Sequence, residues 1–222
     1  MELPERLKRI ASLVPEGSRT ADIGCDHAYL AIALLEAEQV PYVICSDINE
    51  GPLALAKAHL AEHGLEDKSE CRLMNGISGL SPGEADTVVI AGMGGMLIRD
   101  ILLSGNPAVF ASVQTLILQP QTEPEVVRQA LHTLSFRLVD EAFVEDRGKT
   151  YVIVKAVHGE EQFSDFFTYR YGRILVEKKD PGYLAWLARR AQHLRDWSSK
   201  ATDPEEQKKL EEEASFIESL LR

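Results

Sequence analysis

The sequence predicts an α/β protein with a doubly wound sheet of seven strands, followed by a C-terminal antiparallel pair of helices. Strand-like and helix-like segments alternate through residues 1–159, which is typical of doubly wound sheets. Residues 160–222 carry apolar positions at helical spacing only. With 45% hydrophobic and 27% charged residues among 222, the composition is that of a globular chain with a sizeable core. We therefore expect two domains, residues 1–159 and 160–222.

The seven strands are predicted from short runs of β-branched and other apolar residues. The run 87–91, TVVIA, is apolar without alternation, which indicates burial on both faces of a parallel sheet. Only residues 145–149 separate the last two runs, so these two strands should pair antiparallel. The predicted strands are residues 19–24, 41–47, 69–73, 86–91, 113–118, 136–144 and 150–157.

Helices are predicted before the sheet and between its strands, where apolar residues recur every three or four positions. The first one precedes the sheet and has Leu7, Ile10 and Leu13 on one face. Right-handed crossovers through the other helices give a doubly wound sheet. The predicted helices of this domain are residues 4–14, 28–37, 51–63, 95–103 and 122–134.

The tail is predicted to fold as a coiled-coil-like helical hairpin. It contains two sets of apolar residues spaced three and four apart, on either side of residues 202–204. Two helices alone cannot bury both of their faces, so the hairpin should dock on the first domain or on a partner. The two sets are Leu184, Leu187, Ala191 and Leu194, and Leu210, Ala214, Ile217 and Leu221.

The charge of the chain is unevenly distributed. Its 24 basic and 35 acidic residues give a net charge of -11, which argues against a protein that coats nucleic acid or membrane with its whole surface. Residues 166–200 nevertheless hold eight basic and three acidic residues. Trp186 and Trp197 lie among them, where they could stack on RNA or pack on the first domain. We expect a restricted RNA-binding surface formed by Lys178, Lys179, Arg189, Arg190 and Arg195.

Cysteine content and hydropathy indicate a cytoplasmic protein. Three cysteines in 222 residues do not make a disulfide framework and fit a reducing compartment. The first twenty residues show no signal-peptide core, and no run of eighteen apolar residues predicts a transmembrane helix. Cys25, Cys45 and Cys71 lie at no metal-like spacing, so no metal site is expected.

The turn after the first strand, in residues 21–30 (ADIGCDHAYL), is a candidate ligand site. A strand that ends at D-I-G and opens into a helix is where α/β nucleotide folds bind their ligand, and Gly24 allows the sharp turn. A dinucleotide site would have a second glycine where Asp26 stands, and a carboxylate there repels a diphosphate. The same carboxylate suits a cationic ligand such as S-adenosylmethionine. The alternative is a strand-to-helix turn that binds nothing.

Polar residues and glycines also end the later strands. Asp47 ends the second strand, where an acid can accept hydrogen bonds from ribose hydroxyls or form an N-cap or Asx turn. Asn75 and Gly76 after the third strand could contact an adenine edge or form a simple turn. The glycines among residues 92–95 indicate a backbone that a ligand approaches closely. Gln119, Pro120 and Gln121 end the fifth strand with two amides that face the mouth of the same site, either as a substrate contact or as part of the next helix start.

These features belong to a longer set of motifs. The set comprises D-I-G-C-D-H-A-Y-L at 22–30, S-D-I-N-E-G-P at 46–52, N-G at 75–76, I-A-G-M-G-G at 90–95 and L-I-L-Q-P-Q at 116–121. Together they closely resemble the bacterial tRNA (adenine-22-N1)-methyltransferase family, and the resemblance runs through the whole chain. It implies a Rossmann-like class I methyltransferase domain that binds S-adenosyl-L-methionine, a coiled-coil-like C-terminal domain, and methylation of N1 of adenine 22 in tRNA.

The resemblance also implies roles for the motif residues. Asp26 and His27 would lie beside the sulfonium of the donor. Met93 and Gly94 would shape the slot for the target base, and Gln119 would touch that base. N1 of neutral adenine carries a lone pair and no proton, so we expect catalysis by orientation, without a general base or a metal. The donor pocket would be lined by Asp22, Gly24, Asp26, His27, Asp47, Ile48, Asn75, Gly76, Ala91, Gly92 and Met93.

Two other functions remain compatible with the sequence. One is a methyltransferase that acts on another RNA or on a small molecule, and the other is a non-catalytic RNA-binding protein that keeps the fold. The intact set of Gly24, Asp26 and Asp47 favours a working pocket. The target adenine must be unpaired or flipped out, and Tyr29 could stack on it or belong to the core. The expected partner is tRNA, with no membrane, and the protein is expected to be a monomer or a weak homodimer.

Overall fold

The chain folds into two compact units that meet in sequence at Gln162 and Phe163. The computed structural model describes residues 3–222. Within these residues, the first unit contains strands and helices, and the second contains helices only. The predicted combination of an α/β sheet with a helical C-terminal part is confirmed.

The first unit is built on a seven-stranded sheet. All of its strands overlap the strands predicted from the sequence. Their bounds are β1 (Arg19–Ile23), β2 (Tyr42–Asp47), β3 (Ser69–Leu73), β4 (Thr87–Met93), β5 (Thr115–Pro120), β6 (Phe136–Asp146) and β7 (Lys149–His158).

The strands lie in the order β3, β2, β1, β4, β5, β7, β6. Neighbours from β3 to β5 are parallel, whereas β7 is antiparallel to both β5 and β6, as predicted for a terminal hairpin. Val88, Val89 and Ile90 of β4 are all buried, which agrees with a parallel strand covered on both faces. The strand order reverses between β1 and β4, and the carboxyl ends of strands at such a switch point border a crevice where ligands bind.

Six helices lie in the described residues of the first unit. The four-residue helix at Pro107–Phe110 and a three-residue 3₁₀ turn at Glu66–Lys68 were not predicted, because such short segments show no usable periodicity. The helices are α1 (Glu5–Ala11), α2 (Tyr29–Glu36), α3 (Glu50–Glu62), α4 (Gly95–Leu103), α5 (Pro107–Phe110) and α6 (Pro124–Thr133).

The starts of α4 and α6 are in direct backbone contact. The helix predicted at 122–134 begins only at Pro124, because Glu123 adopts a left-handed conformation with φ of 54°. The Gly95 N–H donates to the Thr122 carbonyl oxygen at 3.0 Å. A Cβ atom on Gly95 would lie 2.5 Å from the carbonyl oxygens of Thr122 and Glu123. Only glycine fits at this position without moving the backbone.

We expect Gly95→Ala to destabilise the protein by about 1–3 kcal/mol, because the added methyl group must displace the backbone that starts α6. Denaturant unfolding of the purified protein measures the change. Gly51→Ala is the matched control, since Gly51 lies in the first turn of α3 with open space around its Cβ position. The control should keep or slightly raise the free energy of unfolding. Equal losses in both variants would contradict the close approach as the cause.

The second unit consists of four helices, of which the last two form the predicted hairpin. Residues 199–203 connect these two, and so short a connection makes them antiparallel neighbours. Leu187, Ala191, Leu194, Ala214 and Ile217 from the two predicted apolar sets are buried. The expectation for Leu221 is wrong, because this residue lies after the end of the last helix and is exposed. The helices are α7 (Phe166–Tyr171), α8 (Ile174–Glu177), α9 (Pro181–Ser198) and α10 (Pro204–Leu220).

The short helices α7 and α8 pack against the hairpin within the second unit. The Tyr171 hydroxyl donates to the Glu213 carboxylate of α10, and the Tyr183 hydroxyl of α9 donates to the Tyr171 carbonyl. Ile174 and Leu175 of α8 are buried as well. The sequence did not reveal this cover, because helices of six and four residues are too short for a periodic signal.

Candidate active site

A cavity of about 600 Å³ lies at the carboxyl ends of the parallel strands in the first unit. The segments that follow β1, β2, β3 and β4 all contribute to its wall, and α1 and α4 add side chains. This is the position expected at the reversal of strand order between β1 and β4. All residues predicted to line a donor pocket lie in this wall, namely Asp22, Gly24, Asp26, His27, Asp47, Ile48, Asn75, Gly76, Ala91, Gly92 and Met93.

The turn between β1 and α2 is tied to the end of β2. The backbone N–H groups of Gly24 and Cys25 both donate to the Ser46 carbonyl oxygen, at 2.8 and 2.9 Å. Gly24 has a left-handed φ of 73°, and a Cβ atom there would lie 2.2 Å from the Met93 methyl carbon. Asp26 and Ala28 are also left-handed, which a side chain makes costly. The chain therefore maintains a strained, close-packed turn at the floor of the cavity.

Asp22 supplies a buried carboxyl group to this floor. The residue is 5% exposed. Burial raises the pKa of Asp22 to about 7, because the charged carboxylate is poorly solvated there, and the Arg6 guanidinium opposes the rise. A cationic ligand in the cavity would favour the ionised form in the same way as Arg6 does.

Asp47 forms one of the turns that its position at the end of β2 suggested, and it also lines the cavity. Its Oδ1 accepts hydrogen bonds from the backbone N–H and the side-chain amide of Asn49, at 2.9 and 3.3 Å, so it forms an Asx turn. The side chain also lines the cavity. Within the described residues no hydrogen bond to Oδ2 is present, and this oxygen is the acceptor that a ligand can use.

Three rings stack beside the cavity. His27 stacks on Tyr29 and on His59, with ring centroids 5.2 and 5.5 Å apart. The His59 Nδ1 atom lies 3.1 Å from the His27 carbonyl oxygen, while the His27 Nδ1 atom is buried without a hydrogen-bond partner in the described residues. His27 Nε2 lies 3.5 Å from Asp26 Oδ1. Tyr29 lines the cavity and is only partly buried, so it does not belong to the closed core, and its ring also stacks on His59 with centroids 5.7 Å apart.

Two of the predicted catalytic positions, Gly94 and Gln119, do not line the cavity. Gly92 and Met93 do line it, and Gly94, which is partly exposed, follows them as the N-cap residue of α4, so its role at the slot for the target base stays a prediction. Gln119 is fully buried, with 0% exposure, and its amide is bonded to protein groups on both sides. It therefore cannot touch a substrate in this conformation, and its effect on the site must be indirect.

Arg6 lines the cavity but was not among the predicted site residues, and Gln121, which was predicted to face the mouth without a role of its own, lines it as well. Arg6 lies on α1, and its Nη1 donates to Gln119 Oε1 at 2.7 Å. Its guanidinium lies over the Tyr151 ring, 5.7 Å from the centroid. The hydrogen bond between Arg6 and Gln119 joins residues 113 positions apart in sequence, so no local pattern reveals it. Gln121 is the last residue of the L-I-L-Q-P-Q motif, so the motif contained the amide that faces the cavity, although the substrate contact was assigned to Gln119.

The second unit places the predicted RNA-binding residues in different environments. Lys178, Lys179 and Arg189 are exposed. Arg190 donates to Glu213 at 3.1 Å, and Arg195 forms a two-point contact with Glu218 at 3.0 and 2.8 Å. These ion pairs reduce the positive charge that the two arginines can offer to phosphate.

The two tryptophans of the second unit also differ. Trp186 stacks on Tyr183 with centroids 5.5 Å apart, so it belongs to the packing of this unit. Trp197 is 51% exposed, and the Arg190 guanidinium lies 5.4 Å from its ring centroid. The His193 ring also stacks on Trp197 with centroids 6.2 Å apart, so Trp197 is the more exposed of the two tryptophans but already has ring partners.

Two negative findings apply to residues 3–222. In these residues no group of three or more His, Cys, Asp or Glu side chains could hold a metal ion. No helix in this part of the chain is long and apolar enough to cross a membrane. The three cysteines are free thiols, with Cys25 and Cys45 buried and Cys71 partly buried.

Comparisons with known proteins agree with these features. A family model described as a methyltransferase domain matches residues 3–154. A tRNA (adenine(22)-N(1))-methyltransferase from Bacillus subtilis is 32% identical over 229 aligned positions, which cover 99% of this chain and 96% of the relative. A crystal structure of the B. subtilis m1A22 tRNA methyltransferase TrmK is similar with a TM-score of 0.88 at 28% identity, over 100% of this chain and 99% of that one.

A further solved structure contains a ligand. It is a Streptococcus pneumoniae protein in complex with S-adenosyl-L-methionine, with a TM-score of 0.90, 32% identity and full coverage of both chains. The similarity thus extends over both units and is not limited to the methyltransferase domain. The chain belongs to the tRNA (adenine(22)-N(1))-methyltransferase family.

Proposed function

We propose that this protein transfers a methyl group from S-adenosyl-L-methionine to N1 of adenine 22 in tRNA. The observation that carries the proposal is the assembly of all the family's donor-site motifs around one cavity at the switch point of the sheet. Similarity to a tRNA (adenine(22)-N(1))-methyltransferase over 99% of the chain supports the substrate.

The charged groups that line the cavity fit S-adenosyl-L-methionine. Asp22, Asp26 and Asp47 place three carboxyl groups in the wall, against the single guanidinium of Arg6. A diphosphate would be repelled by this arrangement, whereas an ammonium and a sulfonium are attracted to it. When bound, this donor supplies an electrophilic methyl group that N1 of adenine can accept in one displacement, because that nitrogen has a lone pair and no proton.

In this mechanism the residues of the chain bind the donor and orient it relative to the target base. We assign Asp47 Oδ2 to the ribose hydroxyls, with Asn75 and Ile48 around the adenine of the donor. We place Asp26 and His27 at the methyl group, where a carboxylate favours the positive charge that the methylated base acquires. Met93 would bound the slot for the target base. The target must leave its base pair to reach this slot, at a cost of a few kcal/mol.

Methyl transfer to tRNA transcripts tests the proposal. We expect labelled S-adenosyl-L-methionine to label an unmodified transcript with adenine at position 22, and to leave a transcript with guanine there unlabelled. Equal labelling of the two would point to a methyltransferase with a different target. Binding of tRNA without labelling of any transcript would point to a non-catalytic RNA-binding protein.

We further propose that residues 1–159 form the donor-binding domain and that residues 160–222 contact tRNA. Support for the second assignment comes from the exposed basic side chains of Lys178, Lys179 and Arg189. We also propose that the protein is cytoplasmic and acts as a monomer or weak homodimer.

Lys178→Glu combined with Lys179→Glu is expected to weaken tRNA binding about tenfold or more at roughly 100 mM salt, because two exposed positive charges are reversed. The slope of log affinity against log salt should fall by about 1 for each phosphate that the protein no longer neutralises. Titration of tRNA at several salt concentrations measures both, and donor affinity should stay unchanged. Lys208→Glu with Lys209→Glu on α10 is the charge-matched control. Equal weakening in the control would indicate a general charge effect rather than a defined surface.

A further inference from the structure

The amide of Gln119 is fixed by three protein contacts behind the cavity. Its Oε1 accepts hydrogen bonds from Arg6 Nη1 at 2.7 Å and from the Gly92 backbone N–H at 3.1 Å, and its Nε2 donates to the Pro120 carbonyl at 2.9 Å. With 0% exposure, the side chain exchanges no hydrogen bond with solvent. The two donors on Oε1 also determine the orientation of the amide, since an exchange of its oxygen and nitrogen would oppose N–H to N–H.

The Gly92 N–H needs this side-chain acceptor because β4 is irregular there. The pairing of β4 with β5 steps from Ala91 opposite Gln119 to Met93 opposite Pro120, so Gly92 is an extra residue in β4. Gly92 also has a left-handed φ of 80°. Bulges of this kind change the direction of a strand and occur beside active sites. Here the bulge presents Ala91, Gly92 and Met93 to the cavity, and the Gln119 side chain replaces the missing ladder hydrogen bond.

Arg6 lies on α1, outside the sheet, and bonds to the Gln119 amide that holds the bulge. It lines the cavity, and its Nη1 atom would lie 3.6 Å from a Cβ atom on Gly92. The guanidinium lies over the Tyr151 ring of β7 and acts electrostatically on Asp22 of β1. One side chain from α1 therefore bonds to the group that holds the bulge and acts electrostatically on Asp22 at the floor of the same cavity.

We propose that Arg6 is a positioning residue for methyl transfer, which holds the Gly92 bulge in place through Gln119. This inference rests on the function proposed above and identifies a part of the same site that lies outside the motif residues. Without Arg6, Gln119 Oε1 loses its shortest hydrogen bond and the amide can rotate away from Gly92. The wall formed by Ala91 to Met93 then loses its fixed position, and misplacement by about 1 Å can reduce a rate about 100-fold.

The kinetic test compares Arg6→Ala, Arg6→Lys and Arg9→Ala. Arg9 lies on the same helix, carries the same charge and is exposed, so Arg9→Ala is the matched control. With saturating donor and varied tRNA, we expect Arg6→Ala to lower kcat about 100-fold while KM for tRNA changes less than about threefold. Arg6→Lys should recover part of kcat, and Arg9→Ala should keep kcat within about twofold. Gln119→Ala should cost about as much as Arg6→Ala, and the double variant should lose no more than either single one.

A second measurement does not depend on activity. Hydrogen exchange of the Gly92 amide in the ligand-free protein should be at least about tenfold faster in Arg6→Ala than in wild type, and unchanged in Arg9→Ala. Unchanged exchange, or independent multiplicative losses of kcat in the double variant, would overturn the role of Arg6. If wild-type protein methylates no tRNA transcript, the proposed function fails, while the exchange rate of Gly92 still decides whether Arg6 holds the bulge.

Discussion

Replacement of Asp22 by asparagine should stabilise the ligand-free protein at pH 8 and have a much smaller stabilising effect at pH 5. Burial raises the pKa of Asp22 to about 7 from 3.8. Between these two values the native protein holds a proton that the unfolded chain has lost, so the free energy of unfolding falls as pH rises. The fall is about 1.4 kcal/mol per pH unit and ends above the folded pKa. The Asp22→Asn variant has no group that titrates there.

The variant should therefore gain about 3 kcal/mol on the wild type between pH 5 and pH 8, as measured by denaturant unfolding at both pH values. Asp26→Asn is the control. It removes a carboxylate from the same cavity, but the Asp26 side chain is 71% exposed, whereas Asp22 is buried. A pH response of equal size in both variants, or none in Asp22→Asn, would contradict a buried carboxyl with a raised pKa.

The ionised form of Asp22 destabilises the ligand-free protein, but it should strengthen the binding of the donor. A cation in the cavity favours the ionised form of Asp22, so the wild type should release protons when it binds the donor near pH 7. Calorimetry in two buffers of different ionisation enthalpy measures the proton release. Asp22→Asn should release less and bind the donor more weakly, which indicates that the native charge serves binding at the expense of stability.

The central part of the fold could be predicted from local patterns because the sheet is buried on both faces. The run in β4 shows no alternation of polar and apolar residues, and Val88, Val89 and Ile90 are all buried, so the pattern identified a parallel strand covered on both faces. The glycine turn at Gly24 and the acid at Asp47 were also predictable, because parallel strands bring their carboxyl ends to one edge. Topology thus converts five separate motifs into one cavity.

The residues that the sequence analysis assigned wrongly or did not identify depend on contacts that no local pattern encodes. Gln119 was expected at the substrate, but the bulge at Gly92 uses its amide as an internal acceptor. Arg6 is 113 residues away from Gln119 and reaches it only because α1 packs next to the sheet. Arg190 was expected on an RNA surface, yet Glu213 of the neighbouring helix lies 3.1 Å from it. Helical periodicity identifies the faces that meet but not which charges become opposite each other.

Removal of the acceptor at the end of β2 should have the largest effect on donor affinity. We expect Asp47→Asn to weaken the binding of S-adenosyl-L-methionine about 10- to 100-fold, because charge-assisted hydrogen bonds to the ribose hydroxyls are worth about 1.5–3 kcal/mol. The amide oxygen of the variant can still accept from the Asn49 N–H, as Oδ1 of Asp47 does now at 2.9 Å. The Asx turn and the free energy of unfolding should therefore be preserved, and calorimetric titration isolates the ligand contact.

Asp47→Ala separates the two roles of this side chain, since it removes the Asx turn together with the ligand contact. It should lose the same donor affinity as Asp47→Asn and about 1 kcal/mol of stability in addition. Glu50→Gln is the control for charge, because Glu50 is an exposed acid at the start of α3 that does not line the cavity. It should bind the donor as the wild type does. If Asp47→Asn retained full affinity while Asp47→Ala lost it, the turn rather than the free oxygen would be the feature that the donor requires.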